Sequence, residues 1–418
     1  MRTQSTTMLG LTMTTTAAQR RIRRSIRFAR LRRRIDQMPP DAAVSVDALA
    51  RCLARLSFSE LSRAYAGFYW IAKHIRYDVE GFLRDDLGDL SPEAVLTRRT
   101  GVCAGYARLF QALAQPLRLQ AVEVPGVAKG TDMAGDDARD GHAWNAVRIG
   151  RAWYLLDATW GAGYIDEQGQ FVPRLQDFYF APPPGLLINS HFPDVPRWQL
   201  LRRPLSRVRF DRLPYTTPAF FGHGLRWTSP VAARSTASDR LGLRLRMTQH
   251  AAVSVRLLNG EQEFPRRFAL IERHQKQLEV QVRFPERGSY TLQLFAGPAG
   301  TEGVLTRAAQ LGIDATAGCG WQTAFPETTT SFMLRQTQLL PPRDYQLQAW
   351  QPVRFDVLIP GAREVAVTDA SGEWHILSRR GQRFIAKRIS LPPGQVDLAA
   401  NFGAPSTQFE VLARYSCD

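Results

Sequence analysis

Cysteine is scarce in this sequence, and the few residues present are badly spaced for metal or for disulfides. Cys52, Cys103, Cys319 and Cys417 form no C-x-x-C pair and no H-E-x-x-H accompanies them, so a zinc site has no support. Four cysteines in 418 residues also make a poor disulfide scaffold, which points to a reducing, cytoplasmic compartment. Long apolar runs are missing too. No stretch approaches the roughly 20 apolar residues a membrane helix needs, so no membrane span is expected. A Gly-rich phosphate loop is also absent, and neither metal nor organic cofactor is expected.

Acid is missing from one end. Ten arginines fall within Met1–Arg34, where there is no Asp or Glu, so most of the formal charge of +16 belongs to this segment. Only Phe28 interleaves with those arginines to stack on bases, which argues against nucleic acid. The run Met8-Leu9-Gly10-Leu11-Thr12-Met13 is too short for a secretory signal. Residues 1–38 therefore read as a basic, disordered arm that can meet an acidic surface.

What is present divides into three further parts. Residues 39–210 mix helical and strand patterns. Leu61, Ala64, Tyr65, Phe68, Ile71, Ala72 and Ile75 recur at helical spacing and predict a helix with one apolar face. A second helix is expected to start at Cys103, with Tyr106, Leu109, Phe110 and Leu113 inward, and to end near Pro116. Beyond about residue 204 period-two runs dominate: Val253, Val255, Leu257; then Leu278, Val280, Val282; then Tyr290, Leu292, Leu294; later Phe355, Val357, Ile359 and Val365, Val367. Short strands at this spacing predict two β-sandwich-like modules, residues 211–318 and 319–418. Gly288 and Gly394, each opening a predicted strand after a proline, are a weak internal echo of one module in the other. The fold class is α+β.

Three segments carry chemistry: Gly101-Val-Cys103-Ala-Gly105-Tyr106, Gly141-His142-Ala-Trp144-Asn145 and Trp153-Tyr-Leu-Leu-Asp157-Ala-Thr-Trp160. A thiolate is favoured at a helix N-terminus beside an imidazole, and Cys103 lies where turn residues give way to the apolar helix. Ala104 and Gly105 are small enough to let a substrate backbone approach, and N–H groups there suit a developing oxyanion. Segments 142–149 and 152–159 read as a hairpin turning at Gly150-Arg151, so paired positions sum to 301. Asp157 then shares a face with His142 as its diagonal neighbour, about 7–8 Å away between backbones. A one-residue bulge would separate them. Trp144 and Trp160 flank the pair as groove-lining candidates. Asp132, Asp136, Asp137 and Asp140 do not fit calcium-loop spacing and read as a solvated loop.

These segments resemble the core motifs of the transglutaminase-like superfamily. Phe178-Tyr-Phe180, Ser190-His-Phe-Pro193 and Pro218-Ala-Phe-Phe-Gly-His-Gly-Leu225 are similar to its kyphoscoliosis peptidase and hillarin branch. The resemblance implies a papain-like fold over about residues 60–210, with Cys103, His142 and Asp157 as a catalytic triad. It implies a thiol acyl-transfer enzyme or hydrolase acting on proteins. The alternative is an inactive interaction scaffold whose β modules engage a protein partner. His191 lies in one of the resembling motifs and reads as structural.

Overall fold

The computed structural model describes residues 28–130, 141–166, 168–299, 305–403 and 408–418. The chain forms two compact units, Met1–Phe210 and Asp211–Asp418. The four expected acidic-loop residues between 131 and 140 lie outside the described residues, as does most of the basic segment.

In the first unit, helices α1 (Ala29–Asp36), α2 (Val46–Leu56), α3 (Glu60–His74) and α4 (Cys103–Ala114) pack with an antiparallel sheet. The strands are β1 (Gln120–Ala128), β2 (Gly141–Ile149), β3 (Ala152–Leu156) and β4 (His191–Pro193). Their order across the sheet is β3-β2-β1-β4. Helix α3 starts at a capping box, in which Ser59 and Ser62 satisfy each other's backbone N–H groups. It was expected to bury one face, but every residue from Ala64 to Ala72 is buried.

The reason lies in the basic segment, which was expected to be an arm as far as residue 38. Its end is instead α1, and α1 covers the other face of α3. Leu31 and Ile35 are buried, and the Phe28 ring stacks on Tyr65 at 4.0 Å. Arg32 donates through Nε to the Tyr65 hydroxyl at 2.6 Å and also pairs with Asp177. Asp36 accepts from the Tyr69 hydroxyl at 2.8 Å and from Lys73 at 2.6 Å. An arginine-rich stretch folds here because tertiary partners, 33 residues or more away in sequence, take up its charges.

The second unit holds two sandwiches of one topology. In the first, one sheet runs Leu225–Trp227, Arg240–Met247, Gln277–Arg283, Ala269–His274. The facing sheet runs Arg234–Ala237, Thr306–Ala315, Gly288–Pro298, Ala251–Asn259, Gln262–Glu263. The second module repeats this strand for strand. One sheet is Gln338–Leu339, Pro352–Leu358, Arg383–Ser390, Ser378–Arg380. The other places Glu410–Cys417, Gly394–Asn401, Glu364–Thr368 and Trp374–Ile376 in that order. Gly288 and Gly394 open corresponding strands, so the faint echo marks a real structural repeat.

The modules do not separate cleanly at residue 318. After Gly318 the chain turns back on the first sandwich. The Trp321 ring lies 5.4 Å from both Phe264 and Phe268, and the Phe325 N–H donates to Arg267 O at 2.7 Å. Ala324 and Met333 belong to the first core, whereas Leu270, from the first sandwich, belongs to the second. Buried Glu272 ties the two together, accepting from Leu339 N–H at 2.8 Å and from Arg343 at 2.9 Å. Among the described residues no helix is long and apolar enough to cross a membrane.

Candidate active site

Cys103 is the first residue of α4, and Val102 before it provides no capping side chain. The helix start therefore keeps backbone donors for an anion, and the macrodipole favours negative charge there. Two buried hydrogen-bonding groups fix this helix. The Tyr106 hydroxyl donates to Ile75 O at 2.7 Å, tying α4 to the end of α3. Asn145 of β2 donates to Ala107 O at 2.9 Å, which sets the strand carrying His142 against the helix carrying Cys103. Gly105 was expected to make room for substrate. It is buried instead, and a Cβ there would lie 2.9 Å from the Val95 side chain, so its smallness serves packing.

The hairpin register is as expected: Asn145 pairs with Leu156 and Ile149 with Ala152, each summing to 301. The second strand, however, stops at Leu156. Asp157 caps the short helix α5 (Ala158–Ala162), its Oδ1 accepting the Trp160 N–H at 3.0 Å. Asp157 is preferred at such a position because its side chain satisfies an otherwise unpaired N–H. The cap turns Oδ2 toward His142, whose Nε2 lies 2.8 Å away. With Nε2 engaged, Nδ1 is the ring atom left for Cys103.

Charge in this cluster is strongly redistributed. Burial alone would push the Cys103 thiol up, yet hydrogen bonding and charge from His142, with the Ala143 backbone, bring it below its ordinary value. Burial would lower His142, but the Asp157 carboxylate outweighs it and raises the imidazole to about 10. Asp157, desolvated to 1 % exposure, is still held well below the usual carboxylate range by His142 and His191. The directions agree: each favours a thiolate beside an imidazolium, with a buried carboxylate behind them.

His191 was read as structural and is placed at the centre instead. Its Nε2 lies 2.9 Å from the same Asp157 Oδ2, and its Nδ1 lies 2.8 Å from Ser190 Oγ. The link could not be read from spacing, because His191 stands 34 residues beyond Asp157 on a three-residue strand. The available signal was the Ser190-His191 pair within a resembling motif. Trp144 and Trp160 both approach the His142 ring, at 5.8 and 5.6 Å. Trp144 is buried to 2 %, so it forms the wall behind the histidines and does not line an open groove. Gly126 admits it: a Cβ there would sit 2.7 Å from the indole. Trp160 is half-buried. His142, Asp157 and His191 also present donor atoms within 4.8 Å of one another, a set able to hold a metal. Their separations of 2.8 and 2.9 Å are those of ordinary hydrogen bonds.

Residues 47–158 match the transglutaminase-like superfamily, a stretch that spans Cys103, His142 and Asp157. The chain thus carries a transglutaminase-like domain and is similar to the kyphoscoliosis peptidase and hillarin branch. Residues 207–326 match the KY-like, immunoglobulin-like domain, which runs past residue 318 and includes the segment that folds back on the first sandwich. The mouse kyphoscoliosis peptidase is 32 % identical over 249 residues, covering 58 % of this chain and 37 % of that protein. For the human kyphoscoliosis peptidase the values are 30 % identity, 61 % and 39 %. Hillarin of Drosophila melanogaster is 26 % identical, covering 46 % and 25 %. The chain thus spans under two fifths of these relatives' length.

Proposed function

We propose that the transglutaminase-like domain is a cysteine enzyme acting on protein amides through a thioester. The observation that carries this is the buried His142–Asp157 pair at 2.8 Å beside a thiol at a helix N-terminus. Cys103 Sγ attacks the carbonyl carbon of a peptide bond or of a glutamine or asparagine side chain, forming a C–S bond. The C–N bond breaks as His142 gives its proton to the departing nitrogen. Water or an amine then attacks the thioester, His142 takes the incoming proton, and the C–S bond breaks to release the Cys103 thiolate, restoring the starting ion pair. Water yields hydrolysis and an amine yields a cross-link. Asp157 holds the imidazole in one tautomer and steadies the imidazolium. Trp160, half-buried at the site, is the side chain we assign to substrate contact. The immunoglobulin-like modules are the surface we assign to a protein substrate or partner.

The test is the pH dependence of Cys103 alkylation, followed residue by residue by mass spectrometry. At about pH 5–6 Cys103 is expected to label well ahead of Cys52, Cys319 and Cys417, and His142→Ala should abolish the advantage. Reactivity falls on the acid side as the thiolate is protonated. Turnover falls on the alkaline side near pH 10, as His142 loses the proton it must donate. A Cys103 that titrates like a free thiol would sink the enzyme reading and leave a scaffold that engages partners through its β modules.

A further inference from the structure

Asp157 accepts more than a triad requires. Oδ1 is taken by the Trp160 N–H, and a single oxygen, Oδ2, meets both His142 Nε2 at 2.8 Å and His191 Nε2 at 2.9 Å. A carboxylate oxygen can accept two bonds, so an ionised Asp157 requires a proton on both Nε2 atoms. The remaining question is the state of His191 Nδ1. Ser190 Oγ lies 2.8 Å from it and 3.3 Å from Leu187 O, and one hydroxyl proton serves only one of them. Donation to Nδ1 makes His191 neutral, whereas donation to Leu187 would require a second buried imidazolium. The shorter contact selects the first. His191 is 1 % exposed, and the rings of Trp144, Trp160 and Tyr179 surround it at 5.1, 4.6 and 6.1 Å. The charged or titratable groups that face it are Asp157, His142 and Tyr179. A second cation there would face the first across 5.3 Å between ring centroids with little solvent.

We infer that His191 is a positioning residue of the site: as the neutral Nε2–H tautomer, locked by the Ser190 hydroxyl, it holds Asp157 Oδ2 on His142 Nε2. Without it, Asp157 keeps its cap bond through Oδ1, but the other oxygen is free to turn away from His142. The inference rests on the proposed role of Cys103 and His142, and its test separates the two.

The experiment compares His191→Gln, whose amide nitrogen occupies a position like Nε2 and still donates, with His191→Met, of similar length and without a donor. At pH 6 the Met variant should alkylate Cys103 about tenfold more slowly than wild type, the loss of one hydrogen bond to a charged group. The Gln variant should stay within about threefold. If wild-type Cys103 is reactive and the two lose equally, or neither loses, the ring is only a wedge between aromatics and the inference is overturned. A second readout does not depend on a reactive thiol: histidine-selective nitrogen-15 NMR of the full chain. Wild-type His191 should show the neutral Nε2–H tautomer. The His142 Nε2–H signal should persist in His191→Gln and be lost to exchange in His191→Met. An ordinary Cys103 together with this NMR pattern would defeat the enzyme reading and leave His191's positioning intact. A His142 signal unchanged in His191→Met would defeat the positioning itself. Should the Met variant fail to fold, Ser190→Ala probes the same lock, and a single retained His191 tautomer there would overturn the inference.

Discussion

The two β modules share one strand order but not their polar surface, and their difference shows which positions carry the topology. In each, a threonine starts a five-residue helix that leads into the first strand of one sheet: Thr217 before Pro218–Gly222 and Thr329 before Thr330–Leu334. Each threonine N–H donates to a late strand of its own module, Thr217 to Ala308 O and Thr329 to Leu412 O. Three residues on, a phenylalanine is fully buried, Phe220 in one core and Phe332 in the other. The outward-facing positions diverge freely. Arg244, between Leu243 and Leu245, is exposed, whereas the corresponding Asp356, between Phe355 and Val357, is buried under Arg354 and Arg383. A repeated fold here needs a capped helix, one aromatic plug and alternating strands, while its polar decoration is local.

If the plugs are equivalent, Phe220→Ala and Phe332→Ala should each destabilise the chain by about 3–5 kcal/mol, as truncation of a buried phenylalanine does. Denaturant unfolding followed by tryptophan fluorescence measures both. A cost below about 1 kcal/mol at either position would mean that the site collapses around the gap and that the likeness is only in topology.

The outward positions test the opposite expectation, that the modules differ. Asp356→Asn removes a carboxylate bonded to Arg383 at 2.6 and 2.5 Å and to Arg354 at 2.6 Å. Both arginines are about half exposed, so the expected loss is about 1–2 kcal/mol, at the low end for charged hydrogen bonds. Arg244→Ala should stay within about 0.5 kcal/mol. The sign with pH follows from Asp356, held below its ordinary value by Arg383 and, against burial, by Arg354. Its contribution is present above the unfolded carboxylate range, near 3.9, and is lost as pH falls through the lower folded value. Equal costs for the two substitutions would erase the contrast.

How far the sequence could be read follows the same division between local and distant causes. Alternation of Val253, Val255 and Leu257, or of Leu278, Val280 and Val282, is a local property, and those residues face a core as expected. The start of α4 at Cys103 and the pairing of Asn145 with Leu156 were legible because a turn and a strand period fix them. Illegible features depended on partners far along the chain. An arginine-rich segment became α1 because Tyr65 and Asp177 receive Arg32, and no window of sequence contains all three. The role expected for Gly105 was wrong because Val95 lies against it. His191 joined the site through Asp157, a contact made possible by β4 pairing with β1, with Ala128 opposite His191.

The smallest effect bears on the most economical part of the comparison, the two threonine caps. Thr217 Oγ1 accepts the Ala219 N–H at 3.2 Å and donates to Arg307 O at 2.5 Å. Thr329 Oγ1 accepts the Phe332 N–H at 3.3 Å and donates to Val411 O at 3.0 Å. The same hydroxyl thus joins a helix start to a late strand in both modules. Replacement by valine keeps the β-branched shape and removes only the hydroxyl. Thr217→Val and Thr329→Val should each cost about 1 kcal/mol, the usual value of a lost cap. The sites are in different modules with no shared partner, so the double variant should show the sum within about 0.5 kcal/mol. A double variant costing clearly more than the sum would show the two caps coupled through the shared packing of Leu270 and Met333. The pair would then be one cooperative body in stability as well as two copies in topology.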